Sequence, residues 1–144
     1  MNKDILDYLK LQRTCVLAVE MMDGSPHAAT VHFATSADPL MFYFETNKVY
    51  RKSEPLYGKK EVRATLVVGT TEDNMRTFQT DGIARLLNDD EVDIYNSIYL
   101  GKFPEKVEKS KDPNFVRFVF IPTWWRFTDW TSKNGKKITT SEDK

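Results

Sequence analysis

Residues 42–52 have the sequence FYFETNKVYRK, an aromatic run followed by a Thr-Asn pair and then by a basic pair. Aromatic side chains favour strands, and Thr and Asn favour the start of a helix. We therefore predict a strand and then a short helix over 48–54 that Pro55 stops. The first N–H groups of a helix have no partner within it, so an anion can bind there, and the side chains of Arg51 and Lys52 suit a phosphate. The alternative is a basic turn that is exposed to solvent and binds nothing.

Two further strands precede this stretch. Residues 14–22 are rich in Val, Leu and Ala, and residues 27–34 place apolar and polar side chains on opposite faces. The Asp-Gly pair between them suits the positive φ angles of a hairpin turn. A second turn at 36–39 leads into the strand at 40–44, and we predict that the three strands pair in chain order as an antiparallel meander.

Strands dominate the rest of the chain as well. Alternation and turn residues predict strands over 61–69, 75–87, 115–121, 124–131 and 136–140, the third and fourth separated by Pro122. Apolar residues at helical spacing predict helices over 2–12 and 89–103. The predicted fold class is mainly β with α, an antiparallel barrel of six or seven strands with two or three short helices.

Length and charge narrow the class of protein. We predict one domain over residues 1–144, with a helix at 1–12 and a hairpin and frayed tail at 132–144. The 21 basic and 21 acidic residues leave no net charge, which argues against a nucleic-acid partner, since such binders normally carry a basic excess. Neither a signal peptide nor a membrane-spanning apolar run is evident, so we expect a cytoplasmic protein with no membrane partner.

Common catalytic and metal-binding patterns are absent from the sequence. There is no G-x-G-x-x-G, P-loop, H-E-x-x-H or C-x-x-C motif. With only His27, His32 and Cys15 as soft ligands, we predict no metal site, and we predict that Cys15 is a buried apolar side chain. No residue is an evident general base, and His32 is the only group near the predicted anion site that titrates near neutrality.

The order and spacing of two segments carry a family resemblance. The strand PHAATVHF at 26–33 and the segment TNKVYRK at 46–52 together resemble the core of the pyridoxamine 5'-phosphate oxidase-like family. The compact length, the helix predicted at 89–103 and the segment WRFTD at 125–129 resemble its short general-stress-type branch. The resemblance extends over about residues 4–137. It implies an FMN-binding split β-barrel and a homodimer whose flavin site is shared between the subunits.

The resemblance also implies a set of cofactor-binding residues. These are Ala29, Thr30, Val31, His32, Thr46, Asn47, Arg51, Lys52, Thr77, Gln79, Trp130 and Lys136. The first four would lie along the isoalloxazine ring, and Thr46, Arg51 and Lys52 would hold the phosphate. Tyr50 departs from the family, which often has a serine or threonine before the Arg-Lys pair. Trp130 would form a wall of the ring site of the partner subunit; the alternative is that the tryptophans belong to the core or to a subunit interface.

Three functions remain open at this point. The first is an FMN-dependent oxidoreductase that acts on a small molecule. The second is a non-catalytic flavin carrier or reservoir, and the third is a split barrel that binds haem, a deazaflavin or no cofactor. A true pyridoxamine 5'-phosphate oxidase is not expected, since the chain shows no evident second basic set for the phosphate of that substrate.

Overall fold

Eight strands and three short α-helices form the structure, a computed structural model that describes residues 1–143. The strands are β1 (Thr14–Glu20), β2 (Pro26–His32), β3 (Ala34–Ala37), β4 (Leu40–Asn47), β5 (Val62–Val68), β6 (Arg76–Leu86), β7 (Phe115–Asp129) and β8 (Lys137–Thr140). The helices are α1 (Lys3–Leu11), α2 (Glu54–Gly58) and α3 (Val92–Tyr95), the last extended by a π-helical turn, Asn96–Leu100. Lys144, the end of the predicted tail, lies outside the described residues.

The strands form one curled antiparallel sheet, a half-barrel. Its order is β2-β1-β5-β6-β7-β4-β3, with β8 beside β7. β2 and β3 lie at opposite ends of this order, yet only Phe33 separates them in the chain, so the sheet must curl until its two ends meet. β3 pairs only with residues 40–43 of β4, and the rest of β4 faces β2 across a gap that we call the seam. The prediction of a mainly β split barrel with short helices is confirmed.

Aromatic side chains fill both sides of β4. Phe42 and Phe44 point into the half-barrel, where Phe44 stacks on Phe118 with 5.0 Å between the ring centroids. Tyr43 points to the opposite face, where it meets the ring of Tyr95 edge-on and packs in one cluster with Tyr99; the helical segment around α3 supplies both of these tyrosines. Because both faces of β4 are buried, the end of this strand is held in place on the seam.

The predicted meander is wrong at its third strand. Residues 34–37, where we predicted the end of the second strand and the start of a turn, form the separate strand β3, which pairs with β4. β2 therefore has β1 as its partner, while β4 lies between β3 and β7. Alternation of side chains indicates that a segment is a strand, but it does not identify the partner strand, and here the chain crosses the seam at Phe33.

The interpretation of two prolines was also wrong. The described residues form eight strands, where six or seven were predicted. Pro122 does not divide β7, because it lies at the bulge where the register between β7 and β6 shifts. On the other edge of β7, the residues before Pro122 pair with β4 and those after it pair with β8. A proline is tolerated at such a position because no ladder hydrogen bond is lost. Pro55 lies in the first turn of α2 and does not stop a helix, since an N–H group has no partner in that turn. No helix within residues 1–143 is long and apolar enough to cross a membrane.

Candidate functional site

A small cavity opens on the seam, where β2 and the end of β4 face each other without pairing. Its volume is about 170 Å³. The lining residues are Thr30, Val31, His32, Glu45, Thr46, Asn47, Tyr50, Lys52, Lys106, Lys109 and Phe115. Pockets that enclose a whole drug-sized ligand measure roughly 300–1,000 Å³. This cavity therefore fits one end of a cofactor, with the rest of the cofactor outside it.

Thr46 carries a buried hydroxyl that has no partner. The residue is 4% exposed, and within the described residues its Oγ1 makes no hydrogen bond. The strand ladder with Val116 fixes the Thr46 backbone at the cavity wall. Buried polar atoms nearly always have a hydrogen-bond partner, and an exception on a cavity wall fits a ligand oxygen at that position.

Lys52 is a buried cation in the same wall. It is 9% exposed, and no carboxylate of the described residues lies within 4 Å of its amine. Its Nζ lies 4.5 Å from the ring centroid of Tyr50. Burial lowers the pKa of Lys52, because removal from water disfavours the charged form. An anion in the cavity would offset this penalty.

Asn47 shapes the turn that brings Lys52 to the cavity. Its side-chain Oδ1 accepts a hydrogen bond from the N–H of Val49 at 3.1 Å, and its carbonyl accepts one from the Ser53 hydroxyl at 2.9 Å. Such local side-chain bonds are typical of turns. The following residues form a 3₁₀ turn, Arg51–Ser53, before α2. The structure thus gives Asn47 a structural role next to the cavity.

One imidazole and one carboxylate complete the polar lining. Burial, and after it the positive charges of Lys106 and Arg13, lower the pKa of His32, so that this imidazole is neutral at pH 7. The Oε2 atom of Glu45 accepts hydrogen bonds from the hydroxyl groups of Tyr95 at 2.8 Å and Ser110 at 2.6 Å. Two hydroxyl groups therefore fix the orientation of this carboxylate.

Six of the twelve predicted cofactor residues line the cavity together: Thr30, Val31, His32, Thr46, Asn47 and Lys52. Two more lie next to it. Ala29 is half-buried on β2 opposite Leu17, and Arg51 is exposed and does not contribute to the lining. Of the predicted basic pair, therefore, Lys52 lines the cavity of this subunit and Arg51 does not.

The remaining four predicted residues lie elsewhere in this subunit. Thr77 and Trp130 line a separate depression of about 610 Å³, and Trp130 is 45% exposed. Gln79 accepts a hydrogen bond from Arg126 at 2.8 Å, and Lys136 is exposed in the turn before β8. The resemblance places Trp130 at the flavin of a second subunit, so one subunit alone does not test that prediction.

The sequence analysis missed five lining residues: Glu45, Tyr50, Lys106, Lys109 and Phe115. Lys106 and Lys109 add two basic side chains to the same cavity. They come from two 3₁₀ turns, Pro104–Lys106 and Lys109–Lys111, in a polar stretch that has no motif. Only their place in the folded chain, at the cavity, distinguishes Lys106 and Lys109 from other surface lysines. Tyr50 stands where the family often has a serine or threonine, and it presents its ring to the amine of Lys52.

The described residues offer no cluster of three or more His, Cys, Asp or Glu side chains that could hold a metal ion. Cys15 is buried, and burial raises the pKa of its thiol, so the group remains protonated at neutral pH. The chemistry that the cavity does support is the binding of an anion through a hydroxyl and ammonium groups.

Solved structures share this fold at low sequence identity. A haem-binding protein from Mycobacterium smegmatis superposes with a TM-score of 0.73 at 14% identity over 99% of this chain, which spans 60% of the length of that protein. The haem storage protein HutZ from Vibrio cholerae gives 0.64 at 15% identity, covering 83% of this chain and 87% of the other. A Clostridium acetobutylicum protein related to general stress protein 26 gives 0.66 at 12% identity, covering 99% and 98%. At these identities the likeness shows the fold alone.

Sequence comparison is more specific. No curated protein matches the chain. The model of the family described as pyridoxamine 5'-phosphate oxidase, however, matches residues 1–129, which include every strand up to the end of β7. The match spans both segments that carry the resemblance, and the split barrel is the fold of the structural neighbours. The chain belongs to the pyridoxamine 5'-phosphate oxidase family.

Proposed function

We propose that the chain binds FMN with the cofactor phosphate in the seam cavity and that it acts as an oxidoreductase on a small molecule. The observation that carries the proposal is the partnerless Thr46 hydroxyl, buried in a cavity wall beside the unpaired amine of Lys52. Both groups donate hydrogen bonds, and a phosphate offers acceptor oxygens. Family membership supports the choice of FMN over other anions.

Each group at the cavity has a separate task in this proposal. Thr46 and Lys52 hold the phosphate, while the segment 29–32 of β2 lies along the ring. His32 remains neutral at the cavity wall, so one of its ring nitrogens donates a hydrogen bond and the other accepts one. The bound flavin would supply two-electron transfer, and the protein would supply orientation and electrostatics.

A second subunit and a cytoplasmic location belong to the same proposal. The flavin ring would lie outside the 170 Å³ cavity, where Trp130 and Lys136 of the partner subunit, with Thr77 and Gln79, would complete its surroundings. The sequence shows no evident second basic set for a substrate phosphate, and the lysines of this cavity are assigned here to the cofactor phosphate. The proposed substrate is therefore a small molecule other than pyridoxamine 5'-phosphate.

The test is an absorption spectrum of the purified protein, before and after loading with FMN and removal of the excess. We expect a stoichiometric flavin band at about 450 nm. Lys52→Met should lose most of this band, while Lys60→Met, which removes an exposed lysine, should keep it. A wild-type protein that retains no flavin after loading would contradict FMN binding. Turnover of an added electron acceptor would then separate an oxidoreductase from a flavin carrier.

Haem is the second candidate, and His32 is the observation that favours it. This imidazole lines the cavity and stays neutral, as an axial ligand must, and two structural neighbours are named as haem-binding and haem storage proteins. Adding haemin should then produce a band at about 400 nm that His32→Ala abolishes. The matched variant His27→Ala, on the opposite face of β2, should retain it. An equal response of both variants would exclude His32 as the axial ligand.

A further inference from the structure

Lys106 and Lys109 reach the seam cavity from a segment that contains none of the family motifs. They lie on either side of Val107 and Glu108, in the two 3₁₀ turns that follow the helical segment around α3. Both line the same cavity as Lys52, which comes from the turn after β4. Three lysines from two distant parts of the chain therefore meet at one small space.

None of the three amines is neutralised within residues 1–143. Other lysines of the described chain form ion pairs, such as Lys59 with Glu20 and Lys111 with Glu108, but no carboxylate lies within 4 Å of the cavity lysines. Each of the three lies instead over an aromatic ring. The distances from Nζ to the ring centroid are 4.5 Å for Lys52 on Tyr50, 4.9 Å for Lys106 on Phe103 and 5.3 Å for Lys109 on Phe115. Ring faces attract the ammonium groups and hold them in position without cancelling their charge.

The charges of the lining are unbalanced. Three lysines face one carboxylate, that of Glu45, which already accepts hydrogen bonds from two hydroxyl groups, and His32 adds no charge at pH 7. The lining thus has an excess of two positive charges. Like charges that line one small cavity repel each other unless an anion lies between them. A phosphate monoester at pH 7 carries about −1.5 to −2 charges, which matches this excess.

We propose that Lys106 and Lys109 act with Lys52 as a lysine clamp that binds the terminal phosphate monoester of the cofactor, so that the site selects FMN over riboflavin. The inference rests on the proposed function and adds two phosphate ligands that no motif assigns. The partnerless hydroxyl of Thr46 lies in the same wall and donates to the same group. The small volume agrees with a phosphate at the end of a ligand rather than in its middle.

The experiment measures dissociation constants of FMN and riboflavin for the full-length protein by flavin fluorescence. Lys106→Met and Lys109→Met should each weaken FMN binding roughly tenfold, as expected for a lost bond to a charged group, and leave riboflavin binding unchanged. The matched control is Lys111→Met in the same segment, whose exposed amine pairs with Glu108 outside the cavity. It should alter neither constant. Lys106→Arg, which keeps the charge, should restore most of the affinity for FMN.

A second measurement separates failure of the clamp from failure of the proposed function. Inorganic phosphate should raise the melting temperature of the wild type and of Lys111→Met, and not that of Lys106→Met or Lys109→Met. If the wild type binds FMN but these variants keep the wild-type ratio of FMN to riboflavin affinity, the clamp is refuted and FMN binding stands. If phosphate stabilises the wild type as described but neither flavin binds, the clamp stands as an anion site and FMN binding is refuted. If neither phosphate nor FMN binds, both proposals fail.

Discussion

Replacing Thr46 with valine should stabilise the cofactor-free protein and weaken FMN binding at the same time. Thr46 is 4% exposed and its Oγ1 has no partner, and a buried hydroxyl left unsatisfied costs about 1–3 kcal/mol. Valine has nearly the same shape without the hydroxyl. We expect the free energy of unfolding to rise by about 1 kcal/mol, which corresponds to about 2–4 °C in melting temperature for a chain of this size. With FMN bound, the loss of one bond to a charged oxygen should raise the dissociation constant about tenfold.

Urea unfolding of the cofactor-free protein and a fluorescence titration with FMN measure the two effects. Thr80→Val is the matched control, since Thr80 is also fully buried but its Oγ1 donates to the Trp124 carbonyl at 2.7 Å. The same chemical change should there destabilise the protein by about 1–3 kcal/mol and leave FMN affinity alone. If Thr46→Val destabilises the protein as Thr80→Val does, or binds FMN as tightly as the wild type, the reasoning is refuted.

Three further predictions test the fold and its buried groups. A Cβ at Gly82 would lie 2.2 Å from the carbonyl oxygen of Ile121. Gly82→Ala should therefore lower the free energy of unfolding by about 1–3 kcal/mol. An unchanged midpoint of urea unfolding would contradict this close approach at the bulge. Burial lowers the pKa of Lys102 from 10.5 to about 8. Between pH 8 and pH 10.5 the unfolded chain therefore binds more protons at this amine than the folded chain does. Below pH 8 the amine is charged in both states, and its burial opposes folding. Lys102→Met should therefore be more stable than the wild type at pH 7, with an advantage that shrinks as the pH rises from 8 to 10.5; a constant difference in urea melts would speak against it. Burial raises the pKa of the Cys15 thiol, so a thiol reagent should modify the native protein only as fast as it unfolds, and labelling at the rate of a free thiol would show an open site.

Local patterns were sufficient to predict most helices and strands. The spacing of Ile5 and Leu9 indicated the first helix, and both side chains are buried on one face of α1. The predictions were wrong where a tertiary partner decides the outcome. Pro122 was expected to divide a strand, but it is accommodated because β4 and β8 cover different halves of β7 and leave its position free. No signal near the proline shows this arrangement.

The sequence by itself determined that the chain is mainly β with short helices, and the segments around Thr30 and Thr46 were enough to indicate the family. The first conclusion rests on periodicity and residue type, which act over a few neighbouring residues. The second rests on a resemblance to the family in the order and spacing of those segments. Only the tertiary structure decided that β2 and β4 face each other across an open seam and that Lys106 and Lys109 meet Lys52 there. The lack of a partner for the Thr46 hydroxyl is likewise a property of the packed molecule. Strand partners, cavities and unpaired polar atoms depend on which distant segments come into contact, and a local pattern does not contain that information.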